Sequence, residues 1–234
     1  MADANDIVST SAPAGFSGRL AAAVGIAPEG LPLSLAALAI TLVLLAFGLH
    51  WLAALALIAA IAIGAFFRDP ERAPIGPENS IVSAADGKVT DIREGALPGD
   101  QSGEQFRRVS VFMSPLNVHV NRAPAAGEVV TVIHTAGEFR AAFRDDANEH
   151  NERNLIVFAD PAGRRYAIMQ IAGYLARRIV CRIRPHDRIA RGQRVGLIMF
   201  GSRVDHFMPL AYRVTVRTGD RVSAGESVIG ELLQ

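Results

Sequence analysis

From Leu31 to Phe67 the chain carries no Asp, Glu, Lys or Arg. Such a run cannot form an ordinary surface helix, because a face turned to water would need polar residues at helical spacing. A bilayer core takes ~20 helical residues at 1.5 Å each, so the run has length for two short spans. Gly48, His50 and Trp51 interrupt its middle and predict a transmembrane helical hairpin, with legs at about 32–48 and 51–67 inside an anchor over 31–67. One long tilted helix, a monotopic insertion or a buried helical pair in a soluble core are the alternatives. The run begins too late and is too long for the ~7–15-residue core of a cleaved signal peptide. Arg68 and Arg72 follow it at once, whereas Arg19 stands against Asp3, Asp6 and Glu29 in the polar segment 1–30. The positive-inside tendency then predicts a protein of the cell (inner) membrane whose C-terminal part is cytoplasmic.

Beyond the anchor the texture changes. RDPERAPIGPENS, within a linker over 68–80, is rich in Pro and polar residues, and from Ile81 short alternating apolar runs are punctuated by Gly, Pro, Asn and Asp. That pattern predicts a mainly β domain over 81–234 with strands in SIVSAADGKVTDI, RRVSVFM, GEVVTVIH, NLIVFAD, YAIMQIAG, RIVCRIR, VGLIMFGS, AYRVTV and SVIGELL. HDRIARGQRVGLI and GDRVSAGESVIGEL share D-R-[IV]-x-x-G followed by a strand, and two further G-x-V turns occur at GKV and GEV. The repeat predicts two similar hairpins with a glycine at positive φ, as in the flattened, barrel-sandwich-like folds of biotinyl and lipoyl carriers. A carrier needs a lysine at the hairpin tip, and neither copy has one.

Composition removes several function classes. The formal net charge of the 234 residues is +1 and aromatic residues make up 6%, so neither a phosphate-neutralising surface nor a base-stacking platform is encoded and no nucleic-acid partner is expected. The single cysteine, Cys181, lies in the apolar run IVCRI and reads as a buried strand thiol; alone it makes neither a disulfide nor a multi-thiolate metal site. Lys88 is the only lysine, so it alone could carry pyridoxal phosphate, biotin or lipoate. Phosphate-loop, dinucleotide-loop, nucleophile-elbow and H-E-x-x-H signatures are absent. His150, Glu149 and Glu152 in NEHNERN match no tetrahedral zinc spacing, and no metal is expected.

Three stretches set reactive groups beside Gly, Pro or Asn in apolar surroundings: SAADGKV, MSPLNVHVNRAP and MFGSRVDHFMP. At Gly201-Ser202 the glycine leaves its carbonyl carbon open to the hydroxyl of the next residue, and a strained turn there favours an N-to-O acyl shift. Elimination of the resulting ester and loss of ammonia would leave a pyruvoyl group at position 202. A plain turn is the competing reading of the dipeptide. His119 is the candidate base for the Ser202 hydroxyl and Asp86 the candidate group orienting the imidazole; a strand histidine and an Asp-Gly hairpin turn are their ordinary alternatives.

Taken in order, ADG, MSPLNVHVNRAP, NEHNERN, QIAGYLARRIV and GLIMFGSRVDHFMP resemble the short-form phosphatidylserine decarboxylases, with the match running from about Phe66 to the C-terminus. The resemblance implies a proenzyme cut between Gly201 and Ser202 into a large β subunit, 1–201, and a small α subunit, 202–234, whose first residue becomes pyruvoyl. It implies phosphatidylserine as substrate, phosphatidylethanolamine and CO2 as products, and membrane lipid as partner. By position it gives Ser202 as the pyruvoyl precursor, Asp86 as the orienting carboxylate and His119 as the first histidine of an H-x-x-H-x-P stretch.

This chain departs from the long-form pattern at two points. The second histidine is replaced by Arg122 in HVNRAP, so His119 serves both self-cleavage and decarboxylation, or His206 contributes. Gly-Ser-Thr is replaced by Gly-Ser-Arg, which makes Arg203, with Arg122 and His206, a candidate for substrate binding. A homo-oligomer is left open. The rival readings are a non-enzymatic, membrane-anchored adaptor of the biotinyl/lipoyl type and a lysostaphin-type zinc peptidase, whose ligand spacing is absent.

Overall fold

The computed structural model describes residues 20, 21, 23–100, 102–138, 150–173, 178–199 and 201–233. The chain divides into two units at the Glu71/Arg72 boundary. Residues 1–19 of the expected polar segment, and Asn148 and Glu149 of NEHNERN, lie outside the described residues.

In the first unit helices α1 (Leu31–Ala46) and α2 (His50–Phe66) pack as a hairpin. Backbone bonds from Gly48 N to Leu45 O (3.0 Å) and Leu49 N to Leu44 O (2.9 Å) close the turn between them. Neither helix has an apolar stripe. Helix α1 buries only Leu31 and Thr41, and α2 only Ala53 and Phe66, while leucines, isoleucines and Trp51 are exposed around both. Sixteen and seventeen residues rise about 24 and 26 Å against a hydrocarbon core of about 30 Å. Among the described residues no helix is long and apolar enough to cross a membrane, so the expected transmembrane hairpin is corrected to an apolar helical hairpin. The turn that makes the hairpin consumes residues that the spans would need.

The second unit is mainly β. Its strands are β1 (Ile81–Val82), β2 (Gly87–Ala96), β3 (Gln105–Met113), β4 (Val120–Arg122), β5 (Gly127–Thr135), β6 (Arg153–Ala159), β7 (Arg165–Ile171), β8 (Ile179–Cys181), β9 (Arg188–Ile189), β10 (Arg194–Ile198), β11 (Ser202–Pro209), β12 (Tyr212–Val214), β13 (Arg221–Val222) and β14 (Val228–Leu232). Eight of them form one antiparallel sheet in the order β13-β2-β3-β11-β7-β6-β5-β9, curled into a half-barrel. The described residues also form two three-stranded sheets, β1-β14-β12 and β4-β10-β8. The main core gathers Val89, Val109, Val111, Met113, Ile156, Phe158, Ile168, Val204 and Met208, and a smaller cluster around Phe106, Met169 and Phe207 covers the other face.

The sequence repeat appears as two matching edges. Strand β9 pairs β5 through Gly127↔Ile189, and β13 pairs β2 through Gly87↔Val222. Asp187 Oδ2 and Asp220 Oδ2 each accept from the backbone N–H three residues earlier at 2.8 Å. Gly192 and Gly225, at φ 78° and 76°, donate to Ala123 O and Ser83 O at 2.8 and 2.7 Å. A charged turn, two residues and a left-handed glycine thus make the same local shape twice.

Candidate active site

Strand β11 lies at the centre of the large sheet, paired from Ser202 to Pro209 with β3 and from Arg203 to Phe207 with β7. All of its residues are buried. Because side chains alternate across a strand, Ser202, Val204, His206 and Met208 point into the main core and Arg203, Asp205 and Phe207 to the other face.

Ser202 heads this strand, fully buried opposite Met113, and its hydroxyl donates to Met113 Sδ at 3.4 Å. A thioether is a weak acceptor, so the hydroxyl is held away from water without being strongly engaged. Before it stands Gly201 at φ 22°. Nothing lies within 4 Å of where a Cβ on Gly201 would be, so the backbone angle and not space is what asks for glycine.

His119 follows the turn Ser114–Asn117, which closes on itself: Asn117 Oδ1 accepts from Ser114 N at 2.9 Å and Ser114 Oγ at 2.8 Å. That turn presents Asn117 O to His119 Nδ1 at 2.9 Å. Nδ1–H is therefore the donor and Nε2 the basic nitrogen of the neutral ring. The His119 carbonyl accepts from Ile198 N at 3.3 Å, which ties the histidine to the strand that runs toward Ser202.

Asp86 is placed differently from its expected role. Both carboxylate oxygens are taken by the guanidinium of Arg72, through an Nη1–Oδ1 contact and an Nη2–Oδ2 bond of 3.0 Å, and Oδ1 also accepts from Ala224 N at 2.7 Å. Arg72 Nη1 donates in addition to Ala224 O at 2.9 Å. The carboxylate thus joins residue 72 to the turn of the second repeat rather than to an imidazole. The sequence presents Arg72 as a linker residue flanking the anchor; a contact across 152 residues leaves no local sequence signal.

The three candidate substrate ligands are all drawn into structure. Arg122 is buried and its Nη1 donates to Gly192 O at 3.0 Å. Arg203 lies against Asp205, with Nε–Oδ1 at 2.9 Å and Nη2–Oδ2 at 3.2 Å. Burial pushes the Asp205 carboxyl above the usual range, against the lowering pull of Arg203, Ser110 and Arg108. His206 accepts from Ala84 N at Nε2 (2.7 Å), and its Nδ1–H donates to Val109 O (3.0 Å). Burial, only partly offset by the Val109 bond, pushes its pKa down to about 4. A neutral imidazole with both nitrogens engaged is a cross-strand fastener and a poor proton donor.

No sequence motif gives Asn121, Gln170 or Asn154 a role in the site. All three are buried beside the main core on β4, β7 and β6. The signal was an isolated amide within apolar strand sequence such as YAIMQIAG, since a buried amide must find a partner.

The expected pyruvoyl group would arise at Ser202, and the local structure fits that origin: a buried serine behind a glycine at positive φ. Comparison with known proteins gives the family. The family model for phosphatidylserine decarboxylase matches residues 60–230. A phosphatidylserine decarboxylase proenzyme of Desulfotalea psychrophila is 41% identical over 210 residues, covering 90% of this chain and 98% of the relative. One of Syntrophus aciditrophicus is 43% identical over 207 residues, covering 88% and 96%. A third, of Magnetococcus marinus, is 46% identical over 167 residues, covering 71% and 76%. Matched along nearly its whole β unit, with a buried Gly-Ser at the head of the central strand, this chain belongs to the phosphatidylserine decarboxylase family.

Proposed function

We propose that the chain is a proenzyme that cuts its own Gly201–Ser202 bond and then, as a two-chain enzyme, converts phosphatidylserine to phosphatidylethanolamine and CO2. The observation that carries this reading is the placement of Ser202, buried at the start of β11 behind a glycine at φ 22°, in a chain with relatives named as proenzymes. Ser202 Oγ attacks the Gly201 carbonyl carbon while His119 Nε2 takes the hydroxyl proton. The peptide becomes an ester; elimination frees the Gly201 carboxylate and leaves a dehydroalanine at 202, and water adding to its imine tautomer supplies the keto oxygen as ammonia departs, leaving residue 202 as a pyruvoyl terminus. That group's carbonyl supplies an electron sink for the charge left when CO2 departs, the task pyridoxal phosphate performs on a lysine elsewhere. His119 returns a proton to the product, a task for which His206 is unsuited because it stays neutral down to about pH 4. Asp86 and Arg72 hold the turn at Ala224 in place.

The apolar hairpin fits lipid as its surroundings. With no charge between Leu31 and Phe67 and apolar side chains exposed on all sides, it is suited to enter one leaflet without crossing, with the β unit on the cytoplasmic side of the inner membrane. The diacyl tails of the substrate then stay in the bilayer, avoiding an extraction cost of ~0.8 kcal/mol per CH2. The adaptor reading has no comparable support, for neither repeat carries a lysine at its tip.

Mass analysis of the purified protein tests the reading. A fragment of residues 202–234 blocked at its amino end is expected, and Ser202→Ala should abolish both cleavage and activity. A single intact chain in an active preparation would refute it.

A further inference from the structure

Three buried amides form a directed relay that ends beside Ser202. Asn154 Nδ2 donates to Gln170 Oε1 at 2.9 Å, and Gln170 Nε2 donates to Asn121 Oδ1 at 2.8 Å. With its oxygen so engaged, Asn121 must turn Nδ2 the other way, where it donates to Ala84 O at 3.4 Å and to Met113 Sδ at 3.7 Å. Met113 Sδ is the same atom that accepts the Ser202 hydroxyl at 3.4 Å. The two upstream bonds are short and fix the amide; the two downstream bonds are long and use a carbonyl at its limit and a thioether, a weak acceptor. A firmly oriented donor with poor acceptors is arranged for an acceptor not yet formed.

We propose that Asn121 is the hydrogen-bond donor to the oxyanion of self-cleavage, with Gln170 and Asn154 as the residues that position it. The inference rests on the self-cleavage reading and deepens it. When Ser202 Oγ bonds to the Gly201 carbonyl carbon, the hydroxyl proton passes to His119 and the C=O electron pair moves onto the carbonyl oxygen. That oxyanion sits on the carbon that Oγ has just reached, next to the sulfur that both Oγ and Asn121 Nδ2 contact. As the pair returns to re-form C=O, the C–N bond breaks and the Ser202 nitrogen leaves with the proton as an amine. A preorganised donor in a dry site is worth most at the moment charge appears, and removing one donor of this kind costs ~10²–10³ in rate. For stability alone the relay is a poor investment, because well-packed apolar side chains would fill the same space without three amides to satisfy.

The test follows appearance of the 202–234 fragment from freshly synthesised full-length chain in lipid vesicles, with thermal melting of each variant measured alongside. Asn121→Ala is expected to cleave about 100-fold more slowly than the parent. Asn121→Asp, which keeps the shape but sets an acceptor against the oxyanion, should be at least as slow. Gln170→Glu supplies a readout that packing alone would not give. Neutral, its O–H still donates to Asn121 Oδ1 and cleavage persists; ionised, it draws the Asn121 N–H toward itself and turns Oδ1 to the scissile bond. Its rate relative to the parent at each pH should therefore fall as pH rises. Asn121→Asp melting like the parent and cleaving within threefold of it would overturn the role of Asn121 and leave self-cleavage standing. A Gln170→Glu ratio that is flat with pH would overturn the positioning role. A parent chain that never cleaves would remove both readings at once.

Discussion

His206 makes a quantitative test of the site's burial. Its ring is neutral in the folded chain, accepting from Ala84 N at 2.7 Å and donating to Val109 O at 3.0 Å. A fall in pKa from 6.5 to about 4 corresponds to about 3 kcal/mol of preference for the neutral form, at 1.36 kcal/mol per unit. Below pH 6.5 the unfolded chain binds a proton that the folded chain refuses, so this contribution is fully present above pH 6.5 and is lost as pH falls toward 4. Between pH 7 and pH 5 the loss should be about 2 kcal/mol. His206→Gln reproduces the acceptor and the donor without a titrating group. Both chains should carry Ser202→Ala so that unfolding stays unimolecular. Urea unfolding in detergent at the two pH values, compared between the two chains, cancels every other titrating group they share. The pH 7 to 5 drop should be about 2 kcal/mol smaller with glutamine, and equal drops would show that His206 is neither desolvated nor held neutral as described. With Ser202 intact, His206→Gln should still process itself, because the imidazole carries no proton to spare at neutral pH.

Three further outcomes follow from the contacts around the site. Arg72→Ala leaves the Asp86 carboxylate with the Ala224 amide alone and should cost about 3 kcal/mol in urea unfolding; Arg72→Lys should recover little, since one ammonium cannot match both oxygens and the Ala224 carbonyl. Gly201→Ala has room for its methyl but not the backbone angle, so the residue should relax out of the turn that presents the scissile carbonyl; self-cleavage in a time course should slow about tenfold for the ~1.4 kcal/mol needed to regain it, with melting nearly unchanged. Arg203→Ala should lower stability by about 3–5 kcal/mol by stranding Asp205, while a joint Arg203→Met and Asp205→Leu change restores it. A pure rise in KM for phosphatidylserine with stability intact would instead return Arg203 to the substrate.

How much of this was legible depends on how local the cause is. Gly48 between two uncharged runs predicted the hairpin, and the helices fall at Leu31–Ala46 and His50–Phe66, within a residue or two of the expected legs. What the absence of charge did not reveal is that dividing the run leaves each leg short of a bilayer. The D-R-[IV]-x-x-G echo was readable because its turns are made by side chains acting on their own backbone, as Asp187 and Asp220 do. The order of the eight strands was not readable, since antiparallel pairing leaves no mark beyond alternation. Asp86 illustrates the same limit within the site: its chemistry was evident, but its partner lay at Arg72 in a segment expected to be a linker. The amide relay was visible only as polar letters out of place.

The position of the scissile bond also determines what cleavage does to the fold. A cut before Ser202 frees the head of β11, yet β11 remains between β3 and β7, both of which belong to the 1–201 piece. The rest of the short piece is interleaved in the same way: β14 pairs β1, and β13 pairs β2. Asp86 and Arg72 from the long piece grip Ala224 from the short one, and Gly225 N donates to Ser83 O at 2.7 Å. Separating the pieces would therefore strip two neighbours from a central strand and expose Val204, His206 and Met208, which amounts to unfolding the unit. Only the first residues beside the cut gain freedom, which is what a new chain end needs in order to meet a substrate. In non-denaturing size-exclusion chromatography of the cleaved protein the two pieces should elute together at any dilution and part only in denaturant. Release of the 202–234 piece under native conditions would mean that β11 is not the central strand of the mature enzyme.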